Sequence, residues 1–133
     1  MECTVSPRMM QQAFLRRAFM VAGVVAVIGA NGCQFQHSTD AKFGDQNFKT
    51  AVALIELYRV RHGVYPAALS ELDFTGDWDA IALAAVSYQR LPDGYELNVT
   101  RGWVGKPTLE YPDAFWQGLG IKRTNVAHRA PAT

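Results

Sequence analysis

The segment from Gly44 to Pro66 constrains the fold most, because it contains one amphipathic helix with a defined beginning and end. At about 100° per residue, six apolar side chains fall on one arc of this helix: Phe48, Ala51, Val52, Leu54, Ile55 and Tyr58. Asp45 is the expected N-cap, and Gly63 supplies the left-handed residue favoured just after a helix. The sequence therefore predicts a helix over about residues 45–62 with one buried face.

A second, narrower apolar stripe lies on the side of this helix that the first arc leaves exposed. It consists of Ala53, Leu57 and Val60, while Lys49 and Glu56 are expected on the solvated face. Two interpretations stay open: the stripe is covered by the chain's own tail or merely tolerated in water, or it docks another helix or another protein. We take the stripe as the candidate partner surface.

The chain begins with a basic segment and an apolar run that together are typical of a signal peptide. Arg8, Arg16 and Arg17 precede the 13 residues Ala18–Ala30, none of which is charged. A membrane-spanning helix needs about 20 apolar residues, so this run is too short to cross a bilayer comfortably. Its length and its basic flank match the apolar core of a secretory signal.

The residues after this run resemble the cleavage site of bacterial lipoproteins. Ala30 and Gly32 are the small residues that precede Cys33, although Asn31 departs from the usual small or apolar residue. The resemblance implies that residues 1–32 are removed and that the cysteine is acylated, which would hold the protein on a membrane. Ordinary secretory cleavage nearby and an uncleaved anchor are the alternatives.

The expected location is the periplasmic side of the cell envelope. Arg16–Met20 is similar to a twin-arginine export signal, so the general and the twin-arginine routes both stay open. Gln34 is not the Asp that typically signals retention at the inner membrane, which favours the outer membrane. Gln34–Lys42 is polar, mixed and without periodicity, and we interpret residues 33–43 as a lipidated tether.

The charge balance limits the classes of partner. Without residues 1–32, the 13 basic and 12 acidic residues lose three arginines and Glu2, which leaves a net charge of −1 before histidines. A nucleic-acid binder would carry a basic face, so this class is not expected. Electrostatic adhesion to a membrane is not expected either, and membrane contact is assigned to the lipid on Cys33.

The second half of the chain is predicted to form a small antiparallel sheet. Alternating residues on both sides of Pro92-Asp93-Gly94 predict a hairpin with a bulged loop, Thr108–Tyr111 a third strand, and Ile121–Val126 an edge strand. The expected fold is α+β, with one long helix packed on a three- to four-stranded antiparallel sheet over residues 44–126. Residues 127–133 are expected to be disordered.

Four segments resemble the pseudopilins of type II secretion and their type IV pilin relatives, over about residues 44–100. They are Leu54–Tyr58 (LIELY), Gly63–Pro66 (GVYP), the short turn Leu69–Leu72, and Leu91–Leu97 (LPDGYEL). The resemblance implies a pilin-like globular domain that acts beside a secretion or pilus assembly. In that family the apolar helix follows the cleavage site and builds a filament, whereas here the apolar run precedes the expected cut. We therefore carry over the globular fold without the filament-forming helix.

No residues with the spacing of a catalytic, phosphate-binding or metal-binding motif are found, so we predict no enzyme, no cofactor and no small-molecule substrate. Asp73, Asp77 and Asp79 cluster around Trp78, and a solvated turn is favoured there over a cation site, which stays open. The histidines are spread over three regions of the chain: His37, His62 and His128.

The resulting hypothesis is a membrane-anchored periplasmic lipoprotein that acts as a protein–protein interaction module with envelope or secretion-system proteins. The alternative is a true pseudopilin-like subunit of a type II secretion or type IV pilus system that retains residues 14–30 as a membrane helix.

Overall fold

The computed structural model describes the backbone of residues 7–73 and 75–130. Side chains are described from Gln34 onward within those ranges. The chain divides into two compact units, residues 1–36 and 37–133, and every element after the first helix belongs to the second unit.

Helix α1 extends from Pro7 to His62 and is the longest element. The predicted helix start at Asp45 is wrong, because residues 34–43, interpreted from the sequence as a tether, are also helical. The contacts that fix this part of α1 are tertiary: Asp40 is buried, and Gly44 packs so closely on Pro107 that no side chain would fit. Such contacts leave no periodic pattern in the sequence.

The predicted apolar face of α1 is confirmed. Phe48, Ala51 and Ile55 are fully buried. The face packs in one core cluster with the side chains of the hairpin, of which Tyr95 and Leu97 are also fully buried. Removal of this apolar area from water is the main force that holds the helix on the sheet.

The predicted hairpin is also confirmed, with a tighter turn. Strand β1 covers Val86–Leu91 and strand β2 covers Gly94–Val99, and the two are antiparallel with Leu91 opposite Gly94. Only Pro92 and Asp93 connect them, so the loop is not bulged. Glycine is required at position 94 because a side chain would collide with the backbone carbonyl of Gly120.

The rest of the sheet differs from the prediction of a purely antiparallel arrangement. Strand β3 covers Glu110–Pro112, helix α3 Asp113–Trp116, strand β4 Ile121–Arg123 and strand β5 Ala127–Arg129. Strand β4 pairs with β2 in parallel and completes a mixed three-stranded sheet. Strand β3 does not join it and instead pairs with β5 in a separate, parallel two-stranded sheet.

The C-terminal segment is more ordered than expected. Residues 127–133 were predicted to be disordered, yet Ala127–Arg129 form β5. Val126 is buried just before this strand, and the ring of His128 stacks on Trp116 with 4.6 Å between the centroids. The Arg129 guanidinium binds the Glu110 carboxylate at 2.9 Å. Residues 131–133 lie outside the described part of the chain.

The connection from α1 to the hairpin contains a 3-10 turn at Leu69–Glu71 and helix α2 at Asp77–Leu83. Gly63 ends α1 with φ 75°, as predicted for a C′ glycine, and its N–H donates to the Arg59 carbonyl. The Tyr88 hydroxyl donates to the Pro66 carbonyl at 2.6 Å. The hairpin therefore fixes the exit of the long helix.

Candidate functional site

The stripe of Ala53, Leu57 and Val60 is exposed on α1. Leu57 keeps 45% and Val60 78% of its surface accessible, so the rest of the described chain does not cover the stripe. Val64, 57% exposed, extends it just past the end of the helix. The stripe consequently remains the candidate partner surface identified from the sequence.

A second exposed apolar surface was not found by sequence reasoning. It consists of Phe43, Trp103 and Val104, and we call it the aromatic patch. The rings of Phe43 and Trp103 lie 4.8 Å apart between centroids. Trp103 is 64% and Val104 67% exposed. The available signal was the spacing Gly102-Trp-Val-Gly105, two large apolar residues between two turn glycines.

A groove of about 300 Å³ adjoins the patch on the side of α2. Its walls include Phe43 and Thr50 from α1, and Trp78 and Ile81 from α2. Both side chains from α2 are exposed. Asp79 is the one charged residue among those that line the groove, and Gln46 and Asn47 add uncharged polar groups.

Asp40 holds the turn that carries Trp103 and Val104. One of its carboxylate oxygens accepts hydrogen bonds from the backbone N–H groups of Val104, at 2.6 Å, and Gly105, at 3.0 Å. These two bonds favour the ionised carboxylate and lower the pKa of Asp40 from its ordinary value of 3.8. A residue interpreted from the sequence as part of a tether thus anchors a loop that lies more than sixty residues later in the chain.

The same turn requires a glycine at position 102. A side chain there would collide with the backbone carbonyl of Asp40. The N–H of Gly102 also donates to the Gly105 carbonyl at 2.6 Å, which closes the turn. The loop is therefore pinned to α1 from two directions while its two apolar side chains point outward.

Glu56 lies at a polar junction inside the domain, and its prediction as a solvent-facing residue is wrong. Its side chain is only 17% exposed. One carboxylate oxygen accepts hydrogen bonds from the Gly120 N–H at 2.8 Å and from the Tyr95 hydroxyl at 3.1 Å. The Tyr65 hydroxyl donates to the same carboxylate and accepts from Arg59 at 2.9 Å. One side chain of α1 thereby ties together the helix exit, the hairpin and the start of β4.

Burial controls the ionisation of several tyrosines. It raises the pKa of Tyr88 to about 12 and raises the pKa of Tyr95 further, where the Glu56 carboxylate adds to the effect. Burial also raises the pKa of Tyr111, whose hydroxyl donates to Asp45 at 2.8 Å. At neutral pH each of these hydroxyls is protonated and donates a hydrogen bond to another group of the domain.

Two of the three acidic residues around Trp78, Asp73 and Asp79, make contacts with other groups. Asp79 accepts a hydrogen bond from the Gly76 N–H at 2.8 Å and so caps α2, while Asp73 lies 3.7 Å from the His62 ring. No group of three potential metal ligands comes together within residues 34–73 and 75–130. His128 pairs with exposed Asp113 at 3.3 Å.

The side chain of Cys33, the predicted lipidation site, lies outside the described side chains, and so do those of the apolar run before it. Within residues 34–73 and 75–130, no helix is both long enough and apolar enough to cross a membrane. Comparison with protein-family models, with curated proteins and with solved structures finds no match to this chain.

Proposed function

We propose that this chain is a non-catalytic protein of the cell envelope, anchored to a membrane through Cys33, whose domain faces the periplasm and binds another protein. The exposed stripe of Ala53, Leu57 and Val60 carries the proposal, because it lies on the helix whose opposite face is the core. A rigid apolar ridge of this kind suits docking against a partner helix or groove.

The architecture supports the resemblance to pilin-like domains. A long helix packs one face on a hairpin and ends at a left-handed glycine, and the following Tyr65-Pro66 segment contacts both elements. The parallel pairing of β4 with β2 is a departure from the antiparallel sheet that the resemblance implies. We propose on this basis a partner in a secretion or pilus assembly.

A second candidate function follows from the helical state of residues 34–43, the segment expected to be a tether. A pseudopilin-like subunit that retains residues 14–30 as a membrane helix has no need of a flexible tether before its domain. The helical state of this segment favours this candidate, and the cysteine after the apolar run favours the lipoprotein.

Mass spectrometry of the protein extracted from membranes separates the two candidates. A diacylglyceryl group on Cys33, with residues 1–32 absent, is the result expected for the lipoprotein. An intact or N-methylated apolar segment is the result expected for the pilin-like subunit and would remove the lipid anchor from the proposal.

The partner surface is tested with a photoreactive amino acid placed at Val60 in the organism's own cells. We expect a discrete crosslinked partner that is lost when Leu57→Glu is introduced in the same protein. A photoreactive residue at the exposed Gln89 on β1 is the matched control and should give no such product. Leu57→Glu should change the free energy of unfolding by no more than about 1 kcal/mol relative to the unmodified protein, since the Leu57 side chain is half exposed. Unfolding of this variant would show that Leu57 belongs to the core, and the proposed surface would then be abandoned.

A further inference from the structure

Exposed basic residues flank the aromatic patch along the chain. Arg101 and Lys106 flank the turn that carries Trp103 and Val104, and Lys42 precedes Phe43 on α1. All three basic side chains are exposed. The local sequence Arg-Gly-Trp-Val-Gly-Lys therefore presents two apolar tips between two cations.

This arrangement is rigid before any partner binds. The carboxylate of Asp40 fixes the N–H groups of Val104 and Gly105, and the backbone of Asp40 sits against Gly102. The Phe43 ring supports the Trp103 ring from the helix side. Because the turn is already ordered, insertion of its apolar tip costs little conformational entropy.

The chemistry fits a bilayer surface with negative headgroups. Tryptophan prefers the boundary between headgroups and acyl chains, where its ring is in an apolar layer and its N–H reaches water. Lysine and arginine beside it are attracted to anionic lipids and extend their charged ends toward the phosphates. The net charge of −1 for the chain after residue 32 conceals this local concentration of cations.

We propose that the aromatic patch, with Lys42, Arg101 and Lys106 around it, docks the domain on a membrane surface that carries anionic lipid headgroups. This contact would orient the domain and would be additional to the anchor at Cys33.

The acidic residues near the patch do not oppose this contact. Asp40 is buried, and its carboxylate is occupied by the two N–H groups of the turn. Asp77 and Asp79 belong to α2, and Asp79 lines the groove from the side opposite α1. The Asp79 carboxylate accepts the hydrogen bond from the Gly76 N–H at the start of α2. The docking face therefore consists of the side of the patch formed by α1 and by the turn at residues 102–105. Helix α2 lies at the border of this face.

The inference requires only that the protein resides at a membrane, which is part of the proposed function. It does not depend on the stripe around Leu57 or on acylation of Cys33. Loss of the Val60 crosslink would leave it intact, and failure of the test below would leave the partner surface intact.

The test uses the full chain in lipid nanodiscs, with Trp78→Phe and Trp116→Phe so that Trp103 is the one tryptophan. Nanodiscs of phosphatidylcholine alone are compared with nanodiscs that also contain phosphatidylglycerol, with bromine atoms on the acyl chains in both. Bromine quenches tryptophan fluorescence at short range. We expect stronger quenching of Trp103 in the anionic bilayer than in the neutral one.

The double variant Arg101→Gln with Lys106→Gln should abolish the difference between the two bilayers. The matched control removes two exposed cations from β4, Lys122→Gln with Arg123→Gln, and should preserve the difference. This strand begins beside Gly120, which binds Glu56, and Glu56 lies about 24 Å along α1 from Asp40. Equal quenching in both bilayers overturns the proposal, and so does protection of Trp103 that appears only when envelope proteins are added.

Discussion

The hydroxyl of Tyr95 donates a hydrogen bond to Glu56 at 3.1 Å across the interface between the long helix and the hairpin. Tyr95 is fully buried, and it is the largest of the fully buried side chains in the described core. The same carboxylate oxygen binds the Gly120 N–H. A charged group therefore sets the register between α1 and the sheet at a place where apolar packing alone would allow sliding.

Glu56→Gln should lower the free energy of unfolding by about 2 kcal/mol, because hydrogen bonds from Tyr95, Tyr65 and Gly120 lose their charged acceptor. Urea unfolding followed by circular dichroism measures the change. Glu110→Gln is the matched control, because Glu110 is half exposed in a surface ion pair. This substitution should lower the free energy of unfolding by less than about 1 kcal/mol. Equal losses in both variants would contradict the central role given to Glu56.

Asp40→Asn should reduce stability at neutral pH, and the difference from the unmodified protein should disappear in acid. The pKa of Asp40 is lowered in the folded state, so its contribution is complete above the ordinary value of 3.8 and is lost as the pH falls through the lower folded value. Unfolding free energies measured from neutral pH to strongly acidic pH test this. A difference that stays constant over the range would exclude the ionised carboxylate as the source of the effect.

Tyr88→Phe should make the protein less sensitive to alkali. Burial raises the pKa of Tyr88 from 10.0 to about 12, so the neutral hydroxyl is favoured in the folded state. The stability that this preference provides is present below pH 10.0 and is lost as the pH rises toward 12. Tyrosinate absorbance should show one late-titrating group fewer in the variant. If the variant instead loses a group that titrates near pH 10.0, the raised pKa of Tyr88 is contradicted.

Gly102→Ala should destabilise the turn that carries Trp103, because the added methyl group meets the backbone carbonyl of Asp40 and not a flexible side chain. Overpacking of this kind costs about 1–3 kcal/mol. Gly76→Ala is the matched control, with its nearest neighbour atom at 3.6 Å and a smaller cost expected. Hydrogen exchange of the Val104 and Gly105 amides should be faster in Gly102→Ala alone.

The buried face of α1, its end at Gly63 and the hairpin were all predictable, because each depends on local periodicity or on a residue with a specific backbone preference. The position of Glu56 was harder to predict. It falls about 40° from Val52 around the helix, at the border of the apolar arc. At such a border position a glutamate side chain is expected to be exposed to solvent. Its burial is decided by Gly120 and Tyr95, which are distant in sequence.

The helical state of residues 34–43 and the parallel pairing of β4 were not predictable for a related reason. The first depends on Asp40 and Gly44, whose partners come from the loop around residues 102–107. The second depends on the path of the chain through α3, which returns it in the same direction as β2. The aromatic patch was missed for the first of these reasons, because Phe43 belongs to the segment interpreted as a tether.

The contact between Gly120 and Tyr65 has an evolutionary consequence. Any side chain at position 120 would overlap the Tyr65 phenol, and the Gly120 amide and that phenol share the Glu56 carboxylate. A descendant of this gene that acquires a larger residue at 120 must also replace or reposition the other two. These three sites are therefore expected to be inherited and altered as one unit, and their covariation in an alignment would identify true relatives even where overall similarity has been lost.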